Sequence, residues 1–165
     1  MTTMTDSFPW GRADRPAANH PTNLVGLADC IPADLLGLAV RRPAAGVCVV
    51  TVEGEVDILT APLLQACVRE QITRVPTHLI LDLEPVRFLA LAGLNCLLQA
   101  RELAQQTTSV QLHLAGLVTR AAARPLEVTG LLERFDSYPS VADALTTLIG
   151  STEVRRHGSR RPYCR

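Results

Sequence analysis

The stretch LDLEPVRFLALAGL, residues 81–94, decides the fold because it joins the end of a strand to the start of a helix. Its first residues complete the run LILDL, residues 79–83, which is apolar enough to lie inside a sheet. At its other end a helix is predicted over residues 92–106, because leucines recur on one side of the opening turns. This stretch therefore predicts a buried strand followed closely by a helix.

Two apolar runs before this stretch predict a β-hairpin. Residues 36–40 and 46–52 are strand candidates that flank a turn at residues 43–46. The second run is apolar on both faces, as expected of a strand that is covered on both sides. A helix over residues 61–75 follows, because Thr60 can cap it, a proline stands in its first turn and apolar residues recur at helical spacing.

The chain after residue 106 continues the alternation of strands and helices. Residues 110–114 and 135–138 are predicted strands, residues 119–129 a helix that ends at Gly130, and residues 141–149 a final amphipathic helix. The order β-β-α-β-α-β-α-β-α calls for crossover helices on a mixed sheet. The predicted fold class is therefore α/β, with four to five strands and about four helices.

The two ends of the chain differ in composition from this core. Residues 1–34 are rich in Pro, Ala, Asn and Asp and are predicted to form a disordered leader. Residues 151–165 carry five arginines without a periodic apolar face and are predicted to form a disordered Arg-rich tail. One domain over residues 35–150 is expected.

Charge and cysteine usage exclude several classes of protein. With 16 basic and 16 acidic residues the net charge is zero, which argues against a protein that works mainly by coating nucleic acid. The sequence contains no run of about 18 apolar residues, which a membrane span would require. The five cysteines are scattered and contain no CxxC pair, so neither a disulfide framework nor a zinc site is expected. A cytoplasmic protein without a metal or membrane partner is predicted.

Motifs of catalysis and cofactor binding are absent from the sequence. It contains no dinucleotide-binding or phosphate-binding glycine loop, no zinc-protease motif and no serine-hydrolase motif. The four histidines are far apart and show no ligand spacing. The chain is therefore predicted not to be an enzyme and to need no cofactor.

Four short patterns occur in a fixed order at the ends of these elements. They are GEVD at residues 54–57, LDLEPVRFL at residues 81–89, GL at residues 93–94 and LEVTGL at residues 126–131. In these patterns the chain resembles the STAS family, specifically the bacterial anti-sigma factor antagonists, over residues 35–150. The resemblance implies a STAS-like mixed sheet and a protein that binds a kinase-type anti-sigma factor and thereby releases a sigma factor.

The family's phosphorylation motif is altered in this chain. After the Phe-Leu pair the family typically has Asp-Ser, and the anti-sigma kinase phosphorylates a serine at the helix N-terminus, where free N–H groups favour an anion. Here those positions hold Ala90 and Leu91, which have neither a carboxylate nor a hydroxyl. No phosphorylation is expected at the family position. Thr60 is the best-placed substitute acceptor, although capping of the helix explains it more simply.

The resemblance implies a partner-binding surface at the loop after the second strand and at the start of the second helix. Its predicted residues are Asp57, Thr60, Leu89, Ala90, Leu91, Ala92, Gly93 and Leu94. Three interpretations of Leu91 stay open: a constitutive antagonist, a STAS scaffold recruited to another partner, and a degenerate copy that has lost binding. The alternative function is a STAS adaptor or scaffold module in a signalling or transporter-associated complex.

Overall fold

The computed structural model describes residues 35–107 and 109–157, with side chains described up to residue 150. The predicted leader, residues 1–34, and the end of the predicted tail, residues 158–165, lie outside this part of the chain. In chain order the elements are β1 (Leu36–Ala44), β2 (Val47–Val56), α1 (Ala61–Thr73), β3 (His78–Asp82), β4 (Val86–Leu89), α2 (Leu91–Gln106), β5 (Gln111–Ala115), α3 (Arg120–Val128), a 3₁₀ turn (Leu132–Arg134), β6 (Asp136–Tyr138) and α4 (Val141–His157).

Strand β2 is the longest strand and organises the sheet. β1 pairs with one side of it in antiparallel register, and β3 and β4 pair with the other side in parallel register. β5 and β6 extend the sheet beyond β3, also in parallel register. The α/β class, the mixed sheet and the hairpin are thereby confirmed.

The sheet has six strands, one more than the predicted maximum of five. The extra strand is β4, a piece of only four residues that was not predicted, because the predicted strand ended at Leu83. β3 and β4 follow one another along the same side of β2. Asp82 is the last residue of β3 and pairs with Thr51, whereas β4 pairs with residues 54–56. Between them Pro85 has no N–H to donate, and its carbonyl accepts a hydrogen bond from Gly54 N at 3.2 Å.

Helices cover both faces of the sheet. On one face, α1 and α2 pack on the strands through the larger apolar cluster, in which Leu64, Leu81 and Leu97 are fully buried. On the other face, α4 covers a smaller cluster that includes Val49 and Ile80. This two-sided coverage explains why β2 reads as a continuous apolar run and not as an alternating one.

The final helix continues beyond its predicted end. α4 runs through Gly150 to His157, so part of the predicted tail is helical. Gly150 keeps a negative φ, and a glycine inside a helix costs only about 1 kcal/mol relative to alanine. A helix therefore does not have to end at a glycine unless that residue adopts the left-handed conformation, as Gly130 does with a φ of 67°.

Gly54 is a position where the fold has no room for a side chain. Its φ is +105°, and a Cβ built on it would lie 2.2 Å from the carbonyl oxygen of Leu35. We expect Gly54→Ala to lower the free energy of unfolding by more than about 2 kcal/mol, because strain and a backbone clash add together. Urea unfolding followed by circular dichroism measures the change.

Gly150→Ala is the matched control, because an added Cβ there meets no atom within 4 Å. It should raise stability by up to about 1 kcal/mol. Equal stabilities of the two variants would contradict the account of Gly54.

Candidate functional site

The ends of two neighbouring strands bring the predicted site together. Val56 at the end of β2 pairs with Leu89 at the end of β4, and Ala90 N donates to Val56 O at 2.9 Å. The loop after β2 and the first turn of α2 therefore lie side by side at one end of the sheet, where β2 and β4 finish. Both segments belong to the predicted partner-binding surface, and they lie next to each other in the fold.

A compact hydrogen-bond network shapes the loop after β2. Asp57 Oδ1 accepts hydrogen bonds from Leu59 N at 2.9 Å and from Thr60 N at 3.0 Å. The bond from the Thr60 N–H is the main reason why the pKa of the Asp57 carboxyl lies below its ordinary value. Thr60 Oγ1 donates to Glu55 O at 2.7 Å and accepts from Asp57 N at 2.9 Å. These bonds hold the loop against the end of β2.

Thr60 does not have the role that the sequence predicted for it. Its backbone already has helical angles, φ −95° and ψ −25°, and its side chain makes no capping hydrogen bond to α1. A capping residue adopts extended angles, which turn its side chain toward the free N–H groups of the helix. Thr60 is also fully buried with its hydroxyl engaged, which makes it a poor phosphate acceptor in this conformation.

The first turn of α2 has no capping side chain. Ala90 occupies the N-cap with extended angles, φ −82° and ψ 173°, and no acidic residue follows in the first turn. The free N–H groups at this helix start therefore have no side chain from the N-cap residue to satisfy them. Gly93 brings the turn close to the sheet, because an added Cβ would lie 2.6 Å from Leu89 Cδ1 and 2.8 Å from Val56 Cγ1.

Half of the residues predicted for the partner-binding surface are buried. Leu91 is 70% exposed, whereas Asp57, Ala90 and Ala92 are half-buried. The four buried residues are Thr60, Leu89, Gly93 and Leu94. They cannot contribute side-chain contacts to a partner in this conformation. The pattern follows from the alternation of a strand, which turns Leu89 inward, and from the apolar stripe of a helix, which includes Leu94.

Three exposed apolar residues that the prediction omitted lie at the same edge. Ile58 is 78% exposed, Leu59 52% and Phe88 52%. We call Ile58, Leu59, Phe88 and Leu91 the apolar edge. Two signals in the sequence could have found the first three: the same alternation that buries Leu89 turns Phe88 outward, and two large apolar residues stand in a predicted loop.

A shallow groove of about 220 Å³ between the starts of α1 and α2 adjoins the apolar edge, with Ile58 and Ala92 among its lining residues. Cys96 also lines the groove, but it is 5% exposed and burial raises the pKa of its thiol to about 11. The burial of Cys96 and the raised pKa of its thiol indicate an unreactive core cysteine.

Within residues 35–107 and 109–150, no three metal-ligating side chains cluster into a metal site. Nor is any helix in the described chain long and apolar enough to cross a bilayer.

The sequence profile of the STAS domain matches residues 40–144. The chain belongs to the STAS domain family. A relative named anti-sigma-F factor antagonist RsfB, from Mycobacterium tuberculosis, is 35% identical over 105 residues, which are 64% of this STAS chain and 84% of that protein.

Two solved structures share the STAS fold with this chain. The crystal structure of an anti-sigma factor antagonist from Mycobacterium paratuberculosis is 33% identical, with a TM-score of 0.61, and the match covers 71% of this chain and 97% of that chain. The anti-sigma factor antagonist SpoIIAA in its unphosphorylated form is 15% identical, with a TM-score of 0.58 over 69% of this chain and 97% of that chain. The resemblance inferred from the sequence patterns is thereby confirmed at the level of family and fold.

The Thr60 hydroxyl should be required for the stability of the loop after β2. Thr60→Val keeps the shape of the side chain but leaves Glu55 O and Asp57 N without their buried partner. We expect a loss of about 1–3 kcal/mol in the free energy of unfolding. Thr60→Ser keeps the hydroxyl and should lose only about 1 kcal/mol, for one buried methyl group. Urea titration of both variants tests this, and a serine variant as unstable as the valine variant would refute it.

Proposed function

We propose that this STAS chain is an anti-sigma factor antagonist, which binds an anti-sigma factor in the cytoplasm and so releases a sigma factor. A relative that is 35% identical and a solved structure that is 33% identical are both named as antagonists of this class, which supports the proposal. The three cysteines of the described chain are free thiols, in keeping with a reducing compartment. The chain acts by binding and not by catalysis.

The partner is proposed to dock on the apolar edge. The observation that carries this assignment is Leu91, a large apolar side chain that is 70% exposed at the first position of α2. Ile58, Leu59 and Phe88 add exposed apolar surface at the same end of the sheet. Interfaces gain most of their affinity from a few central apolar or aromatic side chains that become fully buried. The half-buried residues Asp57, Ala90 and Ala92 form the border of this surface, and the four buried residues shape it from below.

Binding at this edge is proposed to be constitutive. A phosphoryl group would bring a charge of roughly −2 and break an apolar interface by desolvation and repulsion. The side chains of Ala90 and Leu91 have no hydroxyl that could accept such a group, and the nearby Thr60 hydroxyl is buried. A kinase-type anti-sigma factor would therefore bind this chain without being able to release it by phosphorylation, and control would lie in the amount of protein.

An assay with ATP tests the regulatory part of the proposal. The purified chain, a kinase-type anti-sigma factor and labelled ATP should form a complex that takes up no phosphate and does not weaken with time. The double variant Ala90→Asp/Leu91→Ser restores the family's Asp-Ser pair and serves as the positive control. This variant should take up phosphate and then dissociate from the anti-sigma factor. Phosphate on the unaltered chain would end the constitutive version of the proposal.

Charge substitution at the apolar edge tests the docking surface. Leu91→Asp should weaken the complex at least tenfold, or about 1.4 kcal/mol, measured by calorimetric titration, because it places a carboxylate in a desolvated contact. The matched control is Val75→Asp, at the opposite edge of the sheet, where the side chain is 53% exposed. Val75 has a φ of 50°, which an aspartate tolerates better than a valine, so this variant should fold and bind normally.

If both variants bind the anti-sigma factor as the unaltered chain does, the apolar edge is not the docking surface. If the unaltered chain binds no anti-sigma factor, the alternative function as an adaptor or scaffold module replaces the antagonist.

A further inference from the structure

A cleft of about 550 Å³ opens at the opposite end of the sheet, where β2 and β3 begin. The hairpin turn between β1 and β2 forms one wall, and the end of α1 forms the other. Its polar side chains are those of Arg42, Gln71 and Arg74, and we call it the cationic cleft. None of the residues that line it is acidic. Ligand sites commonly have a volume of about 300–1,000 Å³, so the cleft is large enough for a small molecule.

The two arginines of the cleft leave a net positive charge there. Arg74 pairs with Glu70 at 2.7 Å, but both side chains are more than half exposed, so this ion pair is largely screened by water. Within residues 35–107 and 109–150 no carboxylate lies within salt-bridge distance of Arg42. Burial raises the pKa of the Cys48 thiol, and the charges of Arg42 and Arg74 both act against that rise. The charges of both arginines therefore act on the Cys48 thiol, which lies on the cleft wall.

Gln71 holds Arg42 in place at the cleft. Its side chain is 4% exposed, and its Oε1 accepts a hydrogen bond from Arg42 Nη2 at 2.6 Å. This bond uses one of the five N–H donors of the guanidinium and leaves the others for a ligand. The amide N–H groups of Gln71 donate no hydrogen bond to any residue of the described chain. A long, entropically costly side chain is thus already oriented before a ligand arrives.

The backbone at the mouth of the cleft is strained. Val75 lines the cleft with a φ of 50°, and it is the only residue of the described chain, apart from glycines, with a positive φ. A β-branched residue is disfavoured there, and strain of this kind is concentrated at binding sites. Val75 follows Arg74, the residue that ends α1, so the strained turn lies next to one of the two arginines of the cleft.

We propose that the cationic cleft binds a small molecule through a phosphate group. Two guanidinium groups and an amide offer more donors than a carboxylate can accept, whereas a phosphate accepts from several donors on its three outer oxygens. Arg42 and Arg74 hold the phosphate from two sides, and Gln71 positions Arg42 for this contact. The rest of the ligand lies against Val47, Val75 and Pro76 on the apolar part of the wall.

Titration of the full chain with inorganic phosphate tests the proposal, with sodium chloride at matched ionic strength as the reference. Chemical-shift changes should saturate at the backbone amides of residues 44–48 and 71–75. Arg42→Gln should weaken phosphate binding at least tenfold. Arg69→Gln removes an exposed arginine from the same helix as Gln71 but outside the cleft, and it should bind phosphate as the unaltered chain does.

The proposal is overturned if phosphate acts no differently from chloride, or if Arg42→Gln and Arg69→Gln bind phosphate equally. If Arg42→Gln proves unfolded by circular dichroism, Arg74→Gln takes its place, because Arg74 makes only an exposed ion pair with Glu70. The Leu91→Asp variant should bind phosphate normally, since the apolar edge lies at the other end of the sheet. Failure of this proposal would therefore leave the proposed docking function untouched.

Discussion

The site depends on the close approach of the first turn of α2 to the end of β2. Gly93 makes it possible, because any side chain there would collide with Leu89 and Val56. Ala90 N bonds to Val56 O, which fixes where the helix begins. Leu94 and Leu97 are then buried on the inner side of the helix, and Leu91 is left on its outer side. One missing side chain thus sets which residues are exposed at this end of the sheet.

The element order was predictable, because apolar runs and helical stripes carry it directly. The sequence predicted the mixed sheet, the hairpin and the start of α2 within one residue. It did not predict β4, because four residues that include the charged Arg87 give too short an apolar pattern. It also missed the continuation of α4 through Gly150, since a glycine marks a helix end only when its backbone turns left-handed.

The direction of each side chain at the site was harder to predict than its position. All eight residues predicted for the partner surface lie at the same end of the sheet, but four of them are buried. Strand alternation separates Phe88 from Leu89, and that signal was available. The role of Thr60 could not be predicted, because a threonine before a helix normally caps that helix. Only the geometry of the loop turns the Thr60 hydroxyl back to Glu55 O. The cationic cleft was also hidden, since Arg42 and Gln71 are 29 residues apart and meet only in the folded chain.

The stability of the fold does not explain the residues at the start of α2. An aspartate, serine or threonine at position 90 would satisfy a free N–H group of the helix, and alanine there costs about 0.5–2 kcal/mol by comparison. A polar residue at position 91 would avoid the exposure of a large apolar side chain to water. Both positions therefore hold residues that are worse for the isolated chain than the obvious alternatives. Residues that destabilise the isolated chain occur mainly at binding sites, because burial against the partner offsets the free-energy cost of exposing an apolar side chain. Ala90 and Leu91 therefore fit the docking surface that we propose, in which a partner covers both residues and no ionic or phosphoryl group takes part.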